Sequence, residues 1–125
     1  MKILAIDDEA VIRTLIEAIL INEGYDVVLG EDGEIGVARA KSEKPDLIIT
    51  DMSMPKMTGF ELIRTLKNDA ETKDIPIIAL TATAQTQDDR IEAYEGGVDA
   101  FDTKPIDARR LIDKIRDTMS KRIGG

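Results

Sequence analysis

The sequence predicts an α/β protein built on one doubly wound sheet of five parallel strands, in the order 2-1-3-4-5, with five helices. Three observations carry this expectation. Short apolar runs alternate with longer stretches of helical period along the whole chain, which is the pattern of βαβ units. The runs show no polar alternation, as strands covered on both faces require. The 125 residues are the length of a single domain, so the units share one sheet. Right-handed crossovers leave few orders for five such strands, and 2-1-3-4-5 is a common one.

Taken in order, Ile3-Leu4-Ala5-Ile6 is the first all-apolar run. From about Glu9 to Glu23, Ile12, Leu15, Ile16 and Ile19 recur at helical spacing, and Gly24 ends the helix. Val27-Val28-Leu29 forms the second strand. Asp32-Gly33 opens a second helix over about Gly33 to Glu43, which Lys44-Pro45 stops, because a proline disfavours helical geometry in the residue before it. Leu47-Ile48-Ile49 is the third strand. Thr58-Gly59-Phe60-Glu61 has capping-box spacing and starts a helix carrying Leu62, Ile63 and Leu66. Ile77-Ile78-Ala79-Leu80 is the fourth strand. Thr86-Gln87-Asp88-Asp89 fits a fourth helix start and Gly96-Gly97 its stop. Ala100-Phe101 lies in a short fifth strand. Asp107 begins the last helix, with Leu111, Ile112, Ile115 and Met119 as its apolar stripe, and the chain reads as frayed from Ser120.

Composition removes several chemistries. There is no cysteine, so disulfides, thiolate metal sites and thiol nucleophiles are excluded. There is no histidine, so neither Ser-His-Asp catalysis nor phosphohistidine donation is open to the chain. The net charge of −8 argues against direct nucleic-acid binding and favours a hard, oxygen-bound cation. From Asp107 onward six basic residues face three acidic ones, which suits a solvated last helix whose late cations complement its dipole. No run is long and apolar enough to cross a membrane, and the start is too short for a signal peptide. The expected setting is therefore the cytoplasm, with no membrane partner.

In open α/β sheets, ligands bind outside the carboxyl ends of the strands, at the switch point between strands 1 and 3. Asp7 and Asp8 follow strand 1, Asp51 follows strand 3, Thr81 follows strand 4, and Lys104-Pro105 follows strand 5. Singly, Asp8 reads as a helix cap, Asp51 as a turn former, Thr81 as a strand end and Lys104 as a surface charge. Together they fall on one edge of one sheet. Two carboxylates about 4 Å apart repel by about 4 kcal/mol at an effective dielectric near 20, and a divalent cation relieves this. All-oxygen ligands point to Mg²⁺.

The Asp7-Asp8-Glu9 run, the Asp51-Met52-Ser53-Met54-Pro55-Lys56-Met57-Thr58-Gly59 segment, Leu80-Thr81-Ala82 and Lys104-Pro105 resemble a response-regulator receiver domain. The resemblance runs from Lys2 to about Lys121, so residues 1–122 read as the receiver domain, of flavodoxin-like fold, and 123–125 as a frayed tail. It implies that Asp51 is the phosphoacceptor, attacking a phosphohistidine on a partner. It implies that Asp8 and Asp51 ligate Mg²⁺, with the Ser53 backbone carbonyl as a further ligand and Asp7 acting through water or the outer shell. Lys104 would pair with Asp51 and then with a phosphoryl oxygen. Thr81 and Phe101 would form the switch, and the Lys104-Pro105 bond would be cis. The chain departs from the family's common pattern at Ile106, where Phe is frequent, at Tyr94, where a smaller aliphatic is common, and at Phe101, where Tyr would add a hydroxyl. Ser53 and Thr83 stand where members tune the lifetime of the acyl phosphate.

The implied function is a stand-alone phosphorylation switch rather than an enzyme acting on other substrates. Its upstream partner is a histidine kinase or a histidine phosphotransfer protein, and its downstream partner an unknown protein. The expected state is a monomer or weak dimer. Ala10, Thr14 and Ala18 on the first helix offer small residues beside the site where a helical donor could dock. The alternatives include a receiver cut from a larger hybrid kinase or response regulator, and a chemotaxis-type, motor-binding regulator. A haloacid-dehalogenase-like phosphatase would need an acid where Ser53 stands, and a flavodoxin would need a phosphate loop where Asp7-Asp8 stand.

Overall fold

Each continuous apolar run is a strand in the computed structural model, which describes residues 1–82 and 96–124, the last three of them by their backbone. The strands are β1 (Lys2–Ile6), β2 (Asp26–Gly30), β3 (Leu47–Asp51), β4 (Ile77–Thr81) and β5 (Ala100–Thr103). They form one parallel sheet in the order β2-β1-β3-β4-β5. Between and after them lie α1 (Ala10–Asn22), α2 (Gly33–Glu43), α3 (Gly59–Lys67) and a C-terminal helix (Ala108–Gly124). The helix expected to start at Thr86-Gln87-Asp88-Asp89, with Thr83, Ile91 and Tyr94, lies outside the described residues.

The pleat explains why the strands read as unbroken apolar runs. Ile3 and Ala5 of β1 face one core, with Ile16 and Leu20 of α1 and Leu111, Ile112 and Ile115 of the C-terminal helix. Leu4 and Ile6 face the other, with Ala40 of α2 and Leu62, Ile63 and Leu66 of α3. Both faces of the central strands are thus dry, and β1, β3 and β4 carry no alternating polar side. On α1, Ile16 and Leu20 are fully buried, whereas Leu15 is 41% exposed and Val11 77% exposed. The expected stripe is therefore corrected at Leu15. At 100° per residue it falls beside the buried line rather than on it.

Local signals account for the helix ends. The Asp32 side chain accepts from the Ile35 amide at 2.8 Å, capping α2. Lys44 closes α2 in the left-handed region, at φ 48°, directly before Pro45. Thr58 and Glu61 make the reciprocal capping box of α3. At Gly59 an added Cβ would lie 2.6 Å from the Met52 Cα, so only glycine lets α3 start this close to the end of β3.

Candidate functional site: an acidic pocket at the switch point

The register of the sheet assembles the site. Ile6 pairs with Thr50, so the next residues, Asp7 and Asp51, stand side by side at the carboxyl ends of β1 and β3. Thr81 pairs with Thr103, so Lys104 follows one step beyond, and its amide donates to the Thr81 carbonyl at 2.8 Å. Asp7, Asp8, Asp51, Ser53, Thr81, Lys104 and Pro105 lie on this edge, at the last residue of a strand or just past it, whereas Phe101 sits inside β5, paired with Ala79.

Carboxylate oxygens of Asp7, Asp8 and Asp51 all lie within 4.8 Å of one another. Asp7 is fully buried, Asp51 is 4% exposed, and Asp8 is open to solvent. The Lys104 Nζ lies 3.1 Å from Asp7 Oδ2, 3.4 Å from Asp51 Oδ1 and 3.9 Å from Glu9 Oε1. Asp7 Oδ1 accepts from the Glu9 amide at 2.9 Å. Asp7 Oδ2 is buried, and its charge is met among the described residues by the Lys104 ammonium as an ion pair rather than by a well-formed hydrogen bond. Asp51 Oδ1 accepts from the Ser53 amide at 3.3 Å. Burial, and then repulsion from Asp7, raise the Asp51 carboxyl above its ordinary value, against the opposing pull of Lys104. Burial also works against the Lys104 charge, but contact with Asp7 and the charge of Asp51 outweigh it and hold the ammonium above its ordinary value.

The donor set fits Mg²⁺. Three carboxylates supply hard oxygens within one ion's reach, and Asp7 Oδ2 is a buried anionic atom that a cation would satisfy. Thr81 is buried, and its hydroxyl makes a long contact of 3.5 Å with the Asp102 carbonyl. Phe101 is half-buried against the core that also holds Ala79 and Val98. The Lys104–Pro105 bond is cis. Ser53 is exposed, in the loop between β3 and α3. Ala10, Thr14 and Ala18 are exposed on α1.

Two features escaped the sequence. The Arg13 guanidinium, reaching back from α1, donates to the Asp7 carbonyl at 2.7 Å. Its i+4 position from Glu9 was the available signal. Asp102, inside β5, is buried and paired with Arg110 at 2.6 Å. An acid inside a predicted strand, next to Ala100-Phe101, was the signal there.

Fold and site define an open α/β domain with an acidic, lysine-lined pocket at its topological switch point. The chain belongs to the response regulator receiver domain family, whose profile matches residues 3–116. It is 40% identical over 120 residues to the DNA-binding dual master transcriptional regulator RpaA of Synechocystis, covering 96% of this chain and 49% of that protein. The chain therefore spans about half the length of this relative, and about half that of several others. Among solved structures it resembles the Vibrio cholerae chemotaxis protein CheY4, with a TM-score of 0.89, 31% identity and coverage of 94% of this chain and 97% of that one. It also resembles the receiver domain of the Pseudomonas aeruginosa sensor histidine kinase PA1611, with a TM-score of 0.86, 32% identity and coverage of 95% and 97%. In that structure a magnesium ion is coordinated in the active-site cleft.

Proposed function

We propose that this domain is a phosphoacceptor switch in which Asp51 takes a phosphoryl group from a phosphohistidine on a histidine kinase or a histidine phosphotransfer protein. The observation that carries this reading is the placement of Lys104, whose Nζ sits within 3.4 Å of both Asp7 and Asp51 at the mouth of the acidic pocket. An Asp51 carboxylate oxygen forms the new O–P bond, the N–P bond of the donor breaks, and the released imidazole nitrogen is protonated from solvent. Little covalent help is needed, because phosphoryl transfer depends on positioning and on neutralising the oxygens. Asp7, Asp8, Asp51 and the Ser53 carbonyl are the residues that would hold Mg²⁺, which supplies neutralising charge to the phosphoryl oxygens when bound. Lys104 supplies the second positive charge from the β5 side.

The added phosphoryl brings negative charge and acceptor oxygens to the edge of β4. Among the described residues the Thr81 hydroxyl makes one long contact, 3.5 Å to the Asp102 carbonyl, a weak partner to exchange for a phosphoryl oxygen. Phe101, on the neighbouring strand, is the side chain positioned to follow. The signal then passes to a protein partner in the cytoplasm, with the domain acting as a monomer or weak dimer. A second reading, that the domain signals within a longer polypeptide, is favoured by one observation: its curated relatives are about twice its length.

The test is labelling with acetyl phosphate, or with a phosphorylated donor, followed by intact mass. Wild-type protein gains one phosphoryl group with Mg²⁺ present and none in chelator. Labelling that is indifferent to chelator would contradict the role given to the carboxylates.

A further inference from the structure

Lys104 stands just past the end of β5, on a short connection to the C-terminal helix, and something must fix where it points. The structure shows the device. The Arg110 Nε donates to Asp102 Oδ1 at 2.6 Å, while its Nη2 donates to the Thr103 carbonyl at 2.7 Å and to the Pro105 carbonyl at 2.9 Å. Thr103 and Pro105 are the two neighbours of Lys104. One guanidinium thus ties the backbone on both sides of the lysine. Asp102 is 4% exposed, and its Oδ1 also accepts from the Thr103 amide at 2.9 Å. The base of the brace is therefore anchored in the sheet. The Arg110 amide donates to Asp107 Oδ1 at 3.0 Å, which fixes the helix turn from which the side chain reaches back.

We infer that Arg110, anchored on Asp102, is a positioning residue that sets the place of Lys104 at the phosphoacceptor. This inference rests on the phosphoacceptor reading above. Guanidinium geometry is what the task needs. Its planar fork serves a carboxylate and two carbonyls at once, and the point charge of a lysine cannot. The carboxylates of the pocket stand at the carboxyl ends of β1 and β3, and among the described residues no hydrogen bond or ion pair joins them to Arg110. Its loss should therefore change the lysine's work without changing the cation's site.

The experiment measures acetyl-phosphate labelling by intact mass across a Mg²⁺ series, for wild type, Arg110→Ala, Arg110→Lys, Lys104→Ala and the Lys104→Ala/Arg110→Ala double variant. Arg110→Ala should lower the maximal labelling rate about tenfold, since misplacement by about 1 Å is costly in such sites, and leave the Mg²⁺ half-saturation within about twofold. Arg110→Lys, which keeps the charge and the stem, should not restore the rate. Adding Arg110→Ala to Lys104→Ala should cost little more, because the two act as one unit. A wild-type rate in Arg110→Ala, or an equal shift in Mg²⁺ half-saturation, overturns the proposal. So does a full further tenfold loss in the double variant. If Arg110→Ala does not fold, Arg110→Lys is judged by the same rate criterion. Failure of the phosphoacceptor reading shows separately, as wild-type protein that takes no label at all, and it overturns this inference with it.

Discussion

Asp51 holds its negative charge against burial and against Asp7, with Lys104 as the counterweight. A carboxyl whose folded value lies above its unfolded value binds its proton more tightly when folded. Its contribution to stability is thus fully present below the unfolded value and is lost as pH rises through the folded one. At neutral pH, in chelator, Asp51→Asn should raise the melting temperature, and the gain should shrink as pH falls toward the carboxylate range. A lower melting temperature for the variant at pH 7 would show that the Lys104 contact dominates instead. Lys104→Ala should leave Mg²⁺ binding in place, because the carboxylates supply the ligands, while labelling slows and signalling weakens. Loss of Mg²⁺ binding, measured by calorimetry, would show that the lysine orders the pocket rather than the phosphoryl group.

At the scale of elements, α3 shows how local chemistry sets the site's walls. Its capping box sits directly after the loop that carries Ser53, and Gly59 lets the helix press against Met52. Thr58→Ala should cost about 1 kcal/mol in denaturant unfolding, the usual loss for such a cap. An unchanged midpoint would mean that packing of Leu62, Ile63 and Leu66 alone fixes the start of the helix. This element was legible in the sequence because its cap, its period and its glycine all agree. The pocket was legible for a different reason. Asp7, Asp8 and Asp51 close apolar runs and Lys104 comes three residues after Phe101 of the short fifth strand, so strand assignment alone brings them to one edge. The outward face of α1 was not, because neighbouring apolar residues such as Leu15 and Ile16 satisfy a helical period equally well until a sheet exists to choose between them. The Asp102–Arg110 pair was not legible either, since it joins the inside of a strand to the first turn of a helix across a cis bond, and no periodicity links the two.

For the whole molecule, two dry cores clamp the sheet from both sides, and the acidic pocket sits at the edge they leave open. Its clustered carboxylates should make the domain's stability respond to cations. Mg²⁺ at about 100 times its dissociation constant should add about 2.7 kcal/mol by mass action, and chelator should reverse the gain. A melting temperature that does not respond to Mg²⁺ would remove the cation from the account. The central claim, that Asp51 is the group that receives the phosphoryl, is tested most directly by intact mass after incubation with acetyl phosphate and Mg²⁺. Wild-type protein should gain one phosphoryl group and Asp51→Asn none, whereas equal labelling of the two proteins would contradict the account.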